Sequence, residues 1–229
     1  MTVDSTEENL NWHLRTKTLG RLARALFPVE VIGRENIPAG EAFVFVVGPH
    51  KTQVETVLVP AYLQEIEFHI MAKDSLFRIP FFGKMFLDAG GIPVDRREGK
   101  GIAAINASIV ETRRGYSVIN FAEGTRHPKD KYLHVGKTGA VRIALDAGVK
   151  IIPVGLIGMR GWWPFRKRYI VIGELFDPRV ELNLIQRFVA ERLPTGKINR
   201  QLTDRVMQRV AALADIDYLG QDERDGRAE

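Results

Sequence analysis

The chain has 229 residues, 45% of them hydrophobic and 27% charged, with a formal net charge of +5. That is enough chain for one compact domain with a sizeable core, and it excludes a disordered, fibrous or collagen-like protein. With no cysteine in the sequence, disulfides, thiolate nucleophiles and Cys-built zinc sites are excluded, and a reducing cytoplasm is the natural setting.

Near the start, Asp4, Glu7 and Glu8 break the basic-then-apolar order of a signal peptide. No apolar run approaches the roughly 20 residues of a spanning helix, so the chain is not expected to cross a membrane. Leu10, Leu14, Leu19, Leu22 and Leu26 recur at spacings of mostly three to five, among Arg15, Lys17, Arg21 and Arg24. This predicts a basic amphipathic helix within residues 1–29, suited to a bilayer surface or to the domain's own core.

A turn follows at 36–40, a buried strand at 43–47, and a helix from just after His50 to about Gln64. Residues 68–72 read as a strand, after which Pro80 and Gly83 interrupt a helix-like aromatic stretch. Leu76, Phe77, Ile79, Phe81 and Phe82 in that stretch could line an acyl groove, with core packing as the default for such a cluster. A helix at 102–113, a strand at 117–121, a helix at 139–147 ended by Gly148, and strands at 149–156 and 169–172 come next. From 182 to 214 the pattern is helical, with Ile198, Leu202, Val206 and Val210 on one face, and a charged tail closes the chain. Strands alternating with helices predict an α/β fold: a single domain with a mostly parallel central sheet flanked by helices. The expected organisation is an N-terminal helix in 1–29, a core in 30–180, C-terminal helices in 181–219 and a tail in 220–229.

Three blocks that follow apolar runs carry polar chemistry. In Gly48-Pro49-His50-Lys51-Thr52-Gln53-Val54-Glu55 a histidine leaves a strand and a carboxylate follows five positions later. Five residues are about 140° of helical rotation, so the pair would not share a face inside one helix. They meet only if His50 sits at the strand-to-helix junction and Glu55 reaches back from the first turns. A carboxylate on one ring nitrogen would fix the tautomer and leave the other nitrogen as a base. The second block is Phe121-Ala122-Glu123-Gly124-Thr125-Arg126, whose glycine permits close backbone approach and whose arginine offers a phosphate-matched fork. The third, Gly90-Gly91-Ile92-Pro93-Val94-Asp95-Arg96-Arg97, again leads an apolar run to arginine. Each block alone is compatible with an ordinary polar turn. Together they predict one cleft at the sheet edge.

The order of these blocks resembles the glycerophospholipid acyltransferase family, within the lysophospholipid acyltransferase superfamily, whose members acylate glycerol 3-phosphate or lysophosphatidic acid. The family's His, four residues, acid pattern is matched by His50 and Glu55. Its second motif is similar to Lys73-Asp74-Ser75-Leu76-Phe77, then Pro80, Gly83 and the block ending in Asp95-Arg96. Its Phe-Pro-Glu-Gly-Thr-Arg motif is matched at 121–126 except at Ala122, and its proline-centred strand by Ile151-Ile152-Pro153-Val154. The Gly136-Lys137-Thr138-Gly139-Ala140 turn also fits. The likeness covers roughly residues 30 to 175.

The resemblance implies that His50 deprotonates an acceptor hydroxyl, which attacks an acyl thioester, with Glu55 orienting His50. It implies that Lys73, Arg126 and Arg96 hold the acceptor phosphate and that Glu123, Gly124 and Thr125 shape its pocket. The donor would be acyl-CoA or acyl carrier protein, used as a substrate. No metal and no resident cofactor are expected. The acceptor implied is 1-acylglycerol 3-phosphate; another lipid alcohol, such as a glycolipid or lysophospholipid, is the alternative, as is a silent membrane-binding module of the same fold. The chain departs from the family at Glu55, where Asp is usual, and at Pro49, where Asn is usual. The extra methylene moves the carboxylate by about 1.5 Å, one C–C bond, so helix and histidine must be offset to compensate.

Lipid is expected to be reached through Trp162, Trp163, Arg166, Lys167 and Arg168, where paired tryptophans adjoin three cations. Tryptophan favours the headgroup level and cations favour anionic lipid. The expected location is cytoplasmic, peripheral on the inner face of the cell membrane. The basic residues follow no nucleic-acid-binding motif, so nucleic acid is not an expected partner.

Overall fold

The computed structural model describes residues 21, 23–63, 65–79, 83, 87, 90–95, 97, 101–161, 163–164, 166–188 and 194–220. Its centre is β2 (Phe43–Gly48), six residues buried throughout. Val44 and Val46 enter one hydrophobic cluster, and Phe43, Phe45 and Val47 enter another on the opposite face. Burial of both faces explains why this strand reads as a continuous apolar run rather than an alternating one.

Around it lie β1 (Glu30–Ile32), α1 (Val54–Tyr62), β3 (Phe68–Lys73), β4 (Gly91–Val94), α2 (Ile102–Arg113) and β5 (Ser117–Phe121). The chain continues through α3 (Gly139–Ala147), β6 (Lys150–Ile157), β7 (Tyr169–Ile172), α4 (Pro178–Phe188) and α5 (Thr195–Leu213). The seven-stranded sheet runs β1-β7-β6-β2-β5-β3-β4. Every neighbouring pair is parallel except β6 and β7. The fold is therefore the expected α/β domain, with a mostly parallel sheet covered on both faces. Val54, Leu58 and Val59 of α1 pack with Phe43 and Phe45, whereas α2, α3 and α5 supply Ile109, Val141, Ile143, Leu202 and Val206 to the other side.

This arrangement positions the site. From β2 the chain crosses through α1 to β3, and from the adjacent β5 it crosses through α3 to β6 on the opposite face. Connections that leave neighbouring strands for opposite faces open a crevice at the strands' carboxyl ends. Residues 49–53 and 122–127 flank it. Behind them α5 ends directly over β6. A Cβ on Gly155 would lie 2.4 Å from the Leu213 carbonyl carbon, so only glycine permits that crossing.

The differences from expectation have local causes. β1 went unforeseen because it is three residues long with Glu30 and Ile32 exposed, which leaves no periodic signal. The helical stretch at 182–214 is two helices, and Pro194, which cannot continue a helix, stands at the start of α5. Residues Asp74–Arg78 form a 3-10 turn. Of the N-terminal helix, residues 1–20 and 22 lie outside the described residues; positions 23–26 are helical, and Ala23 and Phe27 pack on the α1-side cluster. Pro80, Phe81, Phe82 and the tail at 221–229 also lie outside them. Among the described residues, no helix is long and apolar enough to cross a membrane.

Candidate active site

The turn between β2 and α1 is built around one buried carboxylate. Glu55, the second residue of α1, has no exposed surface. Its Oε1 accepts the backbone N–H groups of Lys51 and Thr52, both at 2.6 Å, and its Oε2 accepts the Thr52 hydroxyl at 2.7 Å. Thr52 Oγ1 in turn accepts the Val54 N–H at 3.1 Å. Thr52 thus satisfies one N–H that the helix start leaves orphaned, while Glu55 gathers the N–H groups of the turn before it and places negative charge at the positive end of the helix dipole. The cap is what bends the carboxylate backwards. Its Oε1 lies 3.1 Å from His50 Nδ1, which resolves the 140° objection in the way that spacing required.

His50 is 6% exposed, and its ring tilts against Phe121 of β5 with centroids 4.6 Å apart. Nδ1–H donates to Glu55, so the neutral imidazole presents Nε2, which has no hydrogen-bond partner among the described residues. That nitrogen is free to take a proton, and Glu55 would stabilise the imidazolium that results.

A second carboxylate fixes the backbone of the same residue. The Glu123 side chain, 4% exposed, accepts the His50 N–H at Oε2 and the His134 N–H at Oε1, the latter at 3.1 Å. Burial pushes its carboxyl above the usual carboxylate range, although those two N–H groups and the nearby Lys51 pull it back. Each of its oxygens thus holds a backbone N–H of a neighbouring loop. Lys51 is tied down too: Nζ donates to the carbonyls of Asp130 at 2.8 Å and Tyr132 at 3.2 Å, and desolvation lowers its pKa. The His127 N–H donates to the His50 carbonyl at 2.9 Å.

Gly124 has φ +70°, and a Cβ there would meet Lys137 Cε at 2.8 Å, so the position needs glycine for conformation and for space. It lines a cleft of about 340 Å³ together with Met71, Ile105, Asn120, Phe121, Lys137 and the residues that open α3. Arg97, held bidentately by Asp95, stands at the end of β4 on the same cleft. Two of the three polar blocks therefore share one cavity; His50 is not among its lining residues and is connected to it through its contact with the Phe121 ring. Thr125 and Arg126 are exposed on the loop that touches His50 through His127, and Lys73 is exposed at the end of β3. Neither Arg126 nor Lys73 makes a side-chain ion pair among the described residues. Arg96 lies outside them.

Sequence reasoning missed Lys51, Thr52 and the polar loop at 127–134. The capping pattern was the available signal for Thr52; nothing short of the fold reveals the others. In that loop the rings of His127 and His134 stack with centroids 3.5 Å apart, and both face Asp130. His127 Nδ1, Asp130 Oδ2 and His134 Nε2 lie within 4.8 Å of one another, a donor set able to hold a metal ion.

The loop between β6 and β7 divides the expected lipid contacts. Trp163 is 75% exposed, and Arg166 and Lys167 are exposed beside it, whereas Trp162 lies outside the described residues. Arg168 is a correction. It is 1% exposed, donates to the carbonyls of Gly161, Trp163 and Arg166, and sits 5.4 Å above the Phe27 ring. A guanidinium consumed by its own loop holds that loop's shape and is withdrawn from any lipid headgroup.

Known proteins share both the fold and the sequence pattern. The solved 1-acyl-sn-glycerophosphate acyltransferase of Thermotoga maritima superposes with a TM-score of 0.63 at 22% identity, covering 88% of this chain and 79% of that one. The 1-acyl-sn-glycerol-3-phosphate acyltransferase of Borreliella burgdorferi is 36% identical over 127 residues, 55% of this chain and 50% of its own length. A Chlamydomonas reinhardtii protein of the same description is 26% identical over 195 residues, 85% of this chain and 55% of its own. The chain spans about half the length of the curated relatives it matches. The acyltransferase family model matches residues 28–157, which takes in β2, the His50 turn, the Glu123 loop and β6, and the chain belongs to that family.

Proposed function

We propose that this protein transfers a fatty acyl group from a thioester donor to a hydroxyl of a phosphorylated glycerol acceptor, 1-acylglycerol 3-phosphate being the acceptor that its relatives' names favour. The observation that carries the reading is a buried imidazole whose Nδ1 is held by Glu55 at 3.1 Å while Nε2 has no partner among the described residues. An alcohol is a poor nucleophile until a base takes its proton. His50 Nε2 accepts that proton as the hydroxyl oxygen attacks the thioester carbonyl. The tetrahedral oxyanion then collapses, breaking the C–S bond, and the imidazolium returns the proton to the departing thiolate, whose thiol has a pKa of about 8.5. No enzyme nucleophile is needed, consistent with a chain that has no cysteine.

Arg126 and Lys73, with Arg96, are the cations we assign to the acceptor phosphate, and the apolar wall of Met71, Ile105 and Phe121 suits an acyl chain. Trp163, Arg166 and Lys167 are assigned to the surface of an anionic bilayer, on the cytoplasmic side where acyl-CoA or acyl carrier protein is available. The test is thiol release from acyl-CoA and from acyl carrier protein, each with glycerol 3-phosphate, lysophosphatidic acid and neutral lysolipids as acceptors. Release that depends on a phosphorylated acceptor and on His50 is expected. No release with any acceptor would sink the enzymatic reading and leave a membrane-binding module; release with neutral lysolipids alone would move the acceptor to another lipid alcohol.

A further inference from the structure

We propose that His127 Nδ1, Asp130 Oδ2 and His134 Nε2 form a binding site for one divalent transition-metal ion of the zinc type, and that the ion braces the loop holding the catalytic turn. The donor set is two imidazoles and one carboxylate, with ligand atoms within 4.8 Å of one another. Zinc takes such nitrogen and oxygen donors at about 2.0–2.2 Å, with three protein ligands and one open position as a common arrangement. The present separations, 2.5 Å from Asp130 to His134 and 3.5 Å from Asp130 to His127, bracket the roughly 3.3 Å edge of such a polyhedron. Side-chain rotation that opens the stack of the two imidazoles is needed to reach it. The three side chains are 20 to 33% exposed, so an ion can enter without the loop unfolding.

One further feature is compatible with a metal ligand. Thr125 Oγ1 lies 3.1 Å from His127 Nε2 and can accept a hydrogen from that nitrogen, the tautomer that leaves the Nδ1 lone pair for a metal ion. An outer partner of this kind is what fixes the tautomer of a metal-bound histidine. The rings stack with centroids 3.5 Å apart, so one of them must swing out of the stack for both nitrogens to aim their lone pairs at the same ion. The neighbouring cations do not occupy the donor face: Lys51 Nζ and Arg160 Nη2 both go to the Asp130 backbone carbonyl, not its carboxylate.

The link to the base is short and runs through hydrogen bonds. The ligand His127 gives its N–H to the His50 carbonyl, the ligand His134 gives its N–H to Glu123, and the ligand Asp130 gives its carbonyl to Lys51. An ion tying the three side chains together holds all of these backbone contacts in register. The site stands whether or not the acyl-transfer reading does, because its first readout is binding.

Zn²⁺ titration of the full chain by calorimetry is expected to give one saturable site, and a melting temperature that climbs with the logarithm of Zn²⁺ concentration. Asp130→Asn should abolish both. Thr125→Val should weaken binding about 10- to 100-fold, the usual cost of losing an outer partner. Co²⁺ in place of Zn²⁺ should give visible ligand-field bands that disappear in His127→Asn/His134→Asn. His69, engaged by the Gly90 carbonyl and Glu111, serves as the control histidine. Circular dichroism and metal-free melting report whether each variant folds, and the aspartate variant stands in should the double variant not. Absence of saturable binding, or equal binding by wild type and Asp130→Asn, overturns the proposal.

Discussion

The turn that holds the base and the rim that carries the cations are organised in opposite ways. Around His50, polar atoms are buried and spoken for: Glu55 binds three groups of the turn besides the imidazole, and Glu123 binds two loops. On the rim, Arg126 and Lys73 are exposed and hold no ion pair among the described residues. A proton-transfer group must sit within a few tenths of an ångström of its working position before substrate arrives, and burial with full hydrogen bonding achieves this. Cations that meet a phosphate can stay solvated until the ligand brings their partner. The contrast predicts that loss of the carboxylates that build the turn harms chemistry and folding together, whereas damage to the rim harms only recognition.

The largest effect tests the turn. His50→Ala should lower the rate of thiol release by about 100- to 10,000-fold, the range of general-base catalysis, with a circular dichroism spectrum unchanged. Glu55→Gln should come next and break both properties. It removes the charge facing Nδ1 and replaces an acceptor oxygen by a donor, leaving buried N–H groups poorly matched at a cost of about 1–3 kcal/mol in stability. Denaturant unfolding alongside the activity assay separates the two. Glu55→Gln that melts like wild type would show that the cap is not what holds the turn.

How far this was legible in the sequence follows the same division. The strands buried on both faces announced themselves as apolar runs, and β5, α3 and β7 fall where the pattern put them. His50 and Glu55 were identified as a pair, but their meeting depended on where α1 begins, and helix starts are weakly written. The Thr52-x-x-Glu55 cap carried that information. Glu123 was assigned to the pocket through the family motif; its burial and its two backbone partners, at His50 and His134, needed coordinates. His127, Asp130 and His134 sit on an irregular loop with no period to align them, so their convergence needed coordinates. Arg168 was misjudged because three consecutive cations look alike until one is found inside.

On the rim, Arg126→Ala should leave stability within about 0.5 kcal/mol of wild type, as for exposed side chains without partners. Against phosphorylated acceptors it should lower kcat/KM by roughly 10- to 100-fold, the worth of one charge-assisted hydrogen bond pair at about 1.5–3 kcal/mol. Against neutral alcohols it should change little. Equal losses on both acceptor classes would remove the phosphate assignment and make Arg126 part of the turn's scaffold.

The smallest effects lie in the loop between β6 and β7, where neighbouring cations should separate cleanly. Lys167→Ala should weaken binding to anionic vesicles about fivefold, from roughly 1 kcal/mol per cation near a charged bilayer, and leave the melting temperature alone. Arg168→Ala should do the reverse: three carbonyls lose their donor, at a cost of about 1–3 kcal/mol. The two variants remove the same formal charge from adjacent positions. A membrane that responded to charge count alone would treat them alike, so vesicle sedimentation and thermal melting on the pair distinguish a surface built for lipid from a loop that is merely basic.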